Sequence, residues 1–171
     1  ITVNPAPTVN AVANQVICNN GSTTAVNFSG FVPGTVYNWT NNTPSIGLGA
    51  SGTGTIASFT STNATNAPVV ARITVTPSYT NAGTTCTGTA ITFTITVNPV
   101  PQVNQPANQV ICNNTSFLPT NFTTPTSGGV VMYAWTNNNA SIGLGASGTG
   151  NIPGFIGTNA TNAPEVATVT V

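Results

Sequence analysis

The stretch that decides the fold is Val-Val-Ala-Arg-Ile-Thr-Val-Thr, residues 69–76. Its odd-numbered positions are all apolar, and its even-numbered positions from 72 onward are polar. A period of two is typical of a β-strand that buries one face. Residues 91–97, Ile-Thr-Phe-Thr-Ile-Thr-Val, repeat the pattern with three threonines on the outward face.

Working outward from these two strands, short apolar runs separated by Gly, Asn and Pro predict more strands. No stretch shows helical spacing. About seven strands in some 95 residues predict an antiparallel β-sandwich of immunoglobulin type, an all-β fold. The further candidate strands are residues 8–12, 15–18, 24–29, 35–40 and 55–60.

The sequence repeats itself at a fixed distance, which is typical of tandem units. ANQVICNN at 13–20 recurs at 107–114, SIGLGASGTG at 45–54 recurs at 141–150, and TNATNAP at 62–68 recurs at 158–164. We therefore predict the tail of a preceding repeat at 1–4, a complete repeat at 5–98 and a second repeat at 99–171, truncated before its last strands. Strand patterns at both ends predict a segment of a longer polypeptide.

An odd number of strands places the two termini of a sandwich at opposite ends. The joint between repeats reads Asn-Pro-x-Pro, and its prolines favour an extended, semi-rigid connection. With strands of eight to ten residues at ~3.3 Å each, one unit would add roughly 30 to 40 Å to a rod.

Composition argues against most reactive chemistry. The 171 residues include one Arg (Arg72), one Glu (Glu165) and no Lys, His or Asp. Acid/base catalysis, metal binding by imidazole or carboxylate, and nucleic-acid binding by basic patches all need side chains of these types. We therefore expect no enzyme, no cofactor, no metal site and no nucleic-acid partner. Without a run of eighteen apolar residues, we also expect no membrane span.

The repeat also organises the three cysteines. Cys18 and Cys112 are equivalent, and the partner of Cys112 would fall near position 182. We predict a Cys18–Cys86 disulfide, which would indicate an oxidising, extracytoplasmic setting. Buried free thiols are the alternative. A nucleophilic cysteine would lack a His or Lys to activate it, and the wide spacing argues against a metal site.

Residues 47–52, Gly-Leu-Gly-Ala-Ser-Gly, satisfy the G-x-G-x-x-G pattern of dinucleotide-binding proteins, as do residues 143–148. That site also needs a helix opening directly after the glycines and an acidic residue about twenty positions on. Here a strand pattern follows and the acidic residue is missing. The glycines instead predict a wide loop between strands.

Tyr37 and Trp39 recur as Tyr133 and Trp135, each pair at a spacing of two on a predicted strand. We expect these four aromatics to lie in the core, with the Trp on a central strand, as in immunoglobulin-like sandwiches. Exposed rings would instead provide stacking platforms for a polysaccharide.

Taken together, these motifs resemble the PKD-like repeats of giant surface proteins of Bacteroidota, over essentially the whole chain. Such proteins resemble gliding-motility adhesins exported by type IX secretion. The resemblance implies a bacterial cell-surface location and a role in attachment or locomotion, and brings no catalytic residues. The motifs that carry it are VICNN at 16–20, YNWTNN at 37–42, SIGLGASGTG at 45–54, TNATNAP at 62–68 and ITVNPVP at 95–101.

The predicted function is a structural repeat of an extracellular adhesin filament or stalk, whose partners are neighbouring repeats of the same chain. One alternative is an array that binds surface polysaccharide weakly at each unit and gains avidity by repetition. Another is a subunit that packs sideways with other filament subunits into a sheath or fibre, because the surface carries almost no charge to prevent association.

Overall fold

The computed structural model describes all of residues 1–171 and confirms an all-β fold. The chain divides into two compact units, Ile1–Val100 and Pro101–Val171, called unit 1 and unit 2 below. Each unit contains one 3-10 helix of three residues, Pro44–Ile46 in unit 1 and Ala140–Ile142 in unit 2. No helix has the length and apolar character needed to cross a membrane.

Unit 1 is built on a six-stranded sheet with the strand order β1-β6-β4-β2-β3, in which β5 also pairs with β4. Strand β1 runs parallel to β6, and every other pair is antiparallel. The strands are β1 Gln15–Cys18, β2 Val36–Asn41, β3 Ser51–Thr53, β4 Val69–Asn81, β5 Thr84–Thr87 and β6 Ile91–Asn98.

The alternation that predicted β4 and β6 is confirmed. On β4, Ala71, Ile73 and Val75 are buried while Arg72 is exposed. On β6, alternate residues from 93 to 97 are buried in the same way. Ile73 lies opposite Phe93, so the inward residues of the two central strands form one continuous apolar face.

A second layer of extended chain packs against this face through Val26, Ile56, Phe28 and Phe59. Only isolated bridges join its segments, at Val26–Ile56 and Ser22–Thr60, so the strands predicted at 8–12, 24–29 and 55–60 do not form as regular strands. Side-chain hydroxyl groups take the place of some of the backbone hydrogen bonds that would join two regular strands here. The Thr23 hydroxyl donates to the Phe59 carbonyl at 3.2 Å and accepts from the Phe59 amide at 3.0 Å.

Unit 2 repeats part of this arrangement. Its pairing of Trp135 with Gly148 repeats that of Trp39 with Gly52 in unit 1. Its two sheets have the orders β10-β7 and β11-β8-β9. The strands are β7 Ser116–Phe117, β8 Ala134–Asn137, β9 Ser147–Thr149, β10 Phe155–Ile156 and β11 Val169–Thr170.

Candidate functional site

Each tryptophan lies over a glycine on the neighbouring strand. Trp39 of β2 is 8% exposed, and a Cβ atom added to Gly52 would come within 2.2 Å of its indole ring. Trp135 is 5% exposed, and a Cβ atom added to Gly148 would come within 2.3 Å of its indole ring. Both indole N–H groups are buried without a hydrogen-bond partner. The third glycine of each G-x-G-x-x-G pattern therefore makes room for an indole ring.

The first glycine of that pattern ends a 3-10 helix. Gly47 has a φ of 98° and Gly143 a φ of 96°, in the left-handed region that favours glycine. The backbone N–H of each glycine donates to the carbonyl group of the first residue of its helix, Pro44 or Ala140. No α-helix begins after either motif, so the geometry is that of a loop between strands and differs from that of a dinucleotide site.

A buried asparagine beside each tryptophan holds this loop in place. Asn41 is 5% exposed, its side-chain amide donates to the Leu48 carbonyl at 2.9 Å, and its side-chain oxygen accepts from the Thr43 amide at 2.9 Å. Asn137 makes the same contacts with Leu144 and Asn139 in unit 2, each at 3.0 Å. The sequence prediction missed both asparagines, although their recurrence at equivalent repeat positions could have identified them.

The two repeated tyrosines are half-buried and pack against phenylalanines. The rings of Tyr37 and Phe28 have centroids 5.7 Å apart, and those of Tyr133 and Phe122 have centroids 5.4 Å apart. All four aromatics predicted for the core thus contact the apolar clusters of their own units. The two indole rings are therefore buried, and the two phenol rings are half-buried against the same clusters.

The structure does not bring Cys18 and Cys86 together, and all three cysteines are free thiols. Cys18 pairs with Asn98 at one end of the sheet, next to the pairing of Val97 with Val69. Cys86 pairs with Tyr79 near the other end of β4. Ten residues of strand span about 30 Å, whereas a disulfide needs Cα atoms within ~7 Å. The predicted Cys18–Cys86 bond therefore does not form in this fold.

The first and last residues of unit 1 lie at opposite ends of β4. Asn4 accepts a hydrogen bond from the Asn81 side chain at 2.8 Å, beside the β4–β5 turn. At the other end of β4, Val69 pairs with Val97, and β6 ends one residue later at Asn98. The chain therefore crosses the unit along the length of β4, whose 13 residues span roughly 40 Å.

The few groups able to carry charge are dispersed. Arg72 is exposed on the outward side of β4, and the Glu165 carboxylate accepts hydrogen bonds from the Ser141 hydroxyl and the Asn139 side chain. No three His, Cys, Asp or Glu side chains lie close enough together to hold a metal ion. The repeated asparagines Asn41 and Asn137 are buried, and their side chains hydrogen-bond to backbone groups of the loop.

Comparison with known proteins finds no matching family model, no matching curated protein and no matching solved structure.

Proposed function

We propose that this chain is a structural repeat segment of a long extracellular filament or stalk of a cell-surface adhesin. The observation that carries the proposal is the course of the chain through unit 1. Residues near Asn4 lie at the β4–β5 turn, and Asn98 lies at the opposite end of the sheet. A unit crossed from end to end adds length with every repeat, which is what a stalk requires.

We further propose that each complete repeat is an immunoglobulin-like, PKD-like β-sandwich and that successive repeats form a rod. The order β6-β4-β2-β3 corresponds to the order G-F-C-C′ of an immunoglobulin sheet. The layer containing Val26 and Ile56 packs against the inward face of that sheet, which is where a sandwich would have its second sheet. The resemblance of the motifs to Bacteroidota surface repeats favours attachment or gliding motility as the use, and type IX secretion as the export route.

Electron microscopy of the native protein taken from the cell surface tests this proposal. Two-dimensional averages should show a rod one chain wide that repeats axially every 30 to 40 Å or so, as expected for one unit of extended strands. Averages without that axial period would contradict the stalk.

Binding of polysaccharide by each repeat is the less favoured function, because the indole faces of Trp39 and Trp135 are buried. Affinity electrophoresis of the chain through gels containing surface polysaccharide checks it. We expect unchanged mobility, and strong retardation would favour the polysaccharide-binding array.

A sheath or fibre subunit has one observation in its favour. Val16, Thr96 and Val70 lie side by side on three neighbouring strands. Both valines are more than half exposed. The chain has only one basic and one acidic side chain, Arg72 and Glu165, so little charge opposes contact between such surfaces. If chains packed laterally through Val16, Thr96 and Val70, the same micrographs would show helical assemblies many chains thick. Salt would not dissociate these assemblies, because their contacts are uncharged.

A further inference from the structure

The chain contains ten Asn-x-Ser/Thr sequences, the pattern at which sugars are attached to asparagine in secreted proteins. A chain so rich in Asn, Thr and Ser contains many such patterns by composition alone, so the pattern by itself selects no site. Attachment also needs an asparagine on an accessible loop or turn. The ten asparagines are Asn20, Asn27, Asn38, Asn41, Asn63, Asn113, Asn114, Asn121, Asn139 and Asn159.

Eight of these side chains are already held by hydrogen bonds within the fold. Asn41 and Asn63 are buried and donate to backbone carbonyl groups. Asn38 lies on β2, where its side chain donates to Ser78 at 3.4 Å and accepts from Thr53 at 3.0 Å. The other five are Asn27, Asn113, Asn121, Asn139 and Asn159, bonded to Thr55, Asn159, Asn151, Ser141 and Ala163 in that order.

Asn20 and Asn114 are the two whose side chains make no hydrogen bond, and both are exposed. They occupy equivalent positions of the two units, on turns where φ is 64° and 62°. The backbone amide of Asn20 donates to Ser61 at 2.9 Å, and that of Asn114 donates to Gly157 at 2.8 Å. The backbone of each turn is therefore held in place while the asparagine side chain is left to solvent.

The hydroxyl groups that complete these two patterns are equally accessible. Ser22 and Ser116 are exposed, and neither hydroxyl makes a hydrogen bond. The patterns read Asn-Gly-Ser in unit 1 and Asn-Thr-Ser in unit 2, so both required residues recur although the middle residue differs. In the patterns of Asn63 and Asn159, by contrast, the threonine hydroxyl donates to the asparagine of its own pattern, at 2.7 Å and 2.8 Å.

We propose that Asn20 and Asn114 carry N-linked glycans, one on each repeat. The proposal rests on the extracellular location included in the proposed function, because this modification belongs to secreted proteins. A separate transferase supplies the sugar on a diphosphate carrier. The side-chain nitrogen of the asparagine bonds to the anomeric carbon of the sugar and loses one proton to a base of the transferase. The bond from that carbon to the phosphate oxygen breaks, and the oxygen keeps the electron pair.

A glycan on every repeat has a consequence for the filament. The chain has one Arg and one Glu, so charge does little to keep neighbouring chains apart. A glycan is bulky and strongly hydrated. Placed beside the end of β6, where the Asn19 amide donates to the Asn98 carbonyl at 2.8 Å, it would hinder lateral contact there.

Mass spectrometry of peptides from the native protein, taken from the cell surface and cut with chymotrypsin, tests this proposal. Fragmentation by electron transfer keeps the sugar attached and identifies the modified residue. Asn20 and Asn114 should carry sugar, and the other eight asparagines should not. A surface chain without sugar, or with sugar only on the other eight, would overturn the glycan sites and leave the stalk unaffected. A chain found only inside the cell would overturn both.

Two variants remove the site of unit 1 in different ways. Asn20→Gly removes the acceptor and suits the positive φ, and Ser22→Ala removes only the hydroxyl group. Each should halve the sugar per chain and leave Asn114 modified, whereas Ser22→Thr keeps the pattern and should leave the sugar unchanged. Asn27→Gln is the matched control, because Asn27 is also exposed but accepts from Thr55 at 3.2 Å. Full modification of the Ser22→Ala chain, or loss of sugar from the Asn27→Gln chain, would contradict the assignment.

Discussion

Eight residues, ANQVICNN, occur once in each unit and are folded differently. At 13–20 they contain β1, and at 107–114 they contain no strand. The turn that follows is nonetheless the same, since Asn20 has a φ of 64° and Asn114 a φ of 62°. The Gly21 amide donates to Cys18 at 2.9 Å, and the Thr115 amide donates to Cys112 at 3.1 Å.

The difference separates local from long-range determinants. The turn is specified by neighbours within four residues, so it persists in both copies. The strand at 15–18 needs hydrogen bonds from β6, eighty residues later in the chain, and residues 101–171 contain no strand that pairs with 109–112 in this way. A sequence identical in two places therefore has a secondary structure set by its partner, as β-propensity in general is set by context.

The largest expected effect is that of Ile95→Ala, which should make unit 1 resemble unit 2. Ile95 is fully buried on β6 and pairs with both Gln15 and Ala71. Removing its side chain should lower the free energy of unfolding of unit 1 by about 2 to 5 kcal/mol. Hydrogen exchange should show residues 15–18 losing protection while unit 2 is unchanged.

Val70→Ala is the matched control for that substitution. Val70 is 53% exposed on the outward side of β4, so its truncation should change stability by less than about 0.5 kcal/mol. Equal free energies of unfolding for the Ile95→Ala and Val70→Ala chains would contradict the burial of Ile95 on the inward face of β6.

Gly52→Ala and Gly148→Ala should have nearly equal effects, because they change a contact that both units contain. An added Cβ would lie 2.2 Å from Trp39 in one unit and 2.3 Å from Trp135 in the other. Each substitution should destabilise its own unit by about 1 to 3 kcal/mol through overpacking. Denaturant unfolding followed by tryptophan fluorescence measures the loss of stability caused by each substitution. If only one of the two substitutions were destabilising, the two sites would not be equivalent.

The parts of the fold that the sequence could predict are those with a repeated local pattern. Alternation identified β4 and β6, and the expectation of a Trp on a central strand of each sandwich agrees with the burial of Trp39 and Trp135 in their cores. Asn41 was missed because asparagine is abundant in this chain and its role depends on carbonyl groups that only the folded loop brings near. The strand prediction at 24–29 was wrong because within that segment only Val26 forms a backbone bridge, to Ile56.

A smaller effect is expected at the β4–β5 turn of unit 1. Ala82 has a φ of 48° and Gly83 a φ of 79°, the pattern of a two-residue hairpin that favours Asn-Gly. Ala82→Asn should therefore stabilise unit 1 by about 0.5 to 1 kcal/mol. Gly83→Ala is the control, because open space surrounds its Cβ position and only backbone strain opposes it. Gly83→Ala should destabilise unit 1 by about 1 to 2 kcal/mol. Thermal unfolding of the two variants measures both changes.

The smallest expected effect is that of Cys86→Ser. If Cys18 and Cys86 were bonded, breaking a loop of that length would cost about 4 kcal/mol. Because the two residues lie at opposite ends of the sheet, we expect a change below about 0.5 kcal/mol and no effect of reductant on unfolding. A thiol reagent should titrate three groups per native chain, the exposed Cys18 and Cys112 before the half-buried Cys86. Titration of a single thiol would mean that two cysteines are bonded, and the strand register that separates Cys18 from Cys86 would then have to be revised.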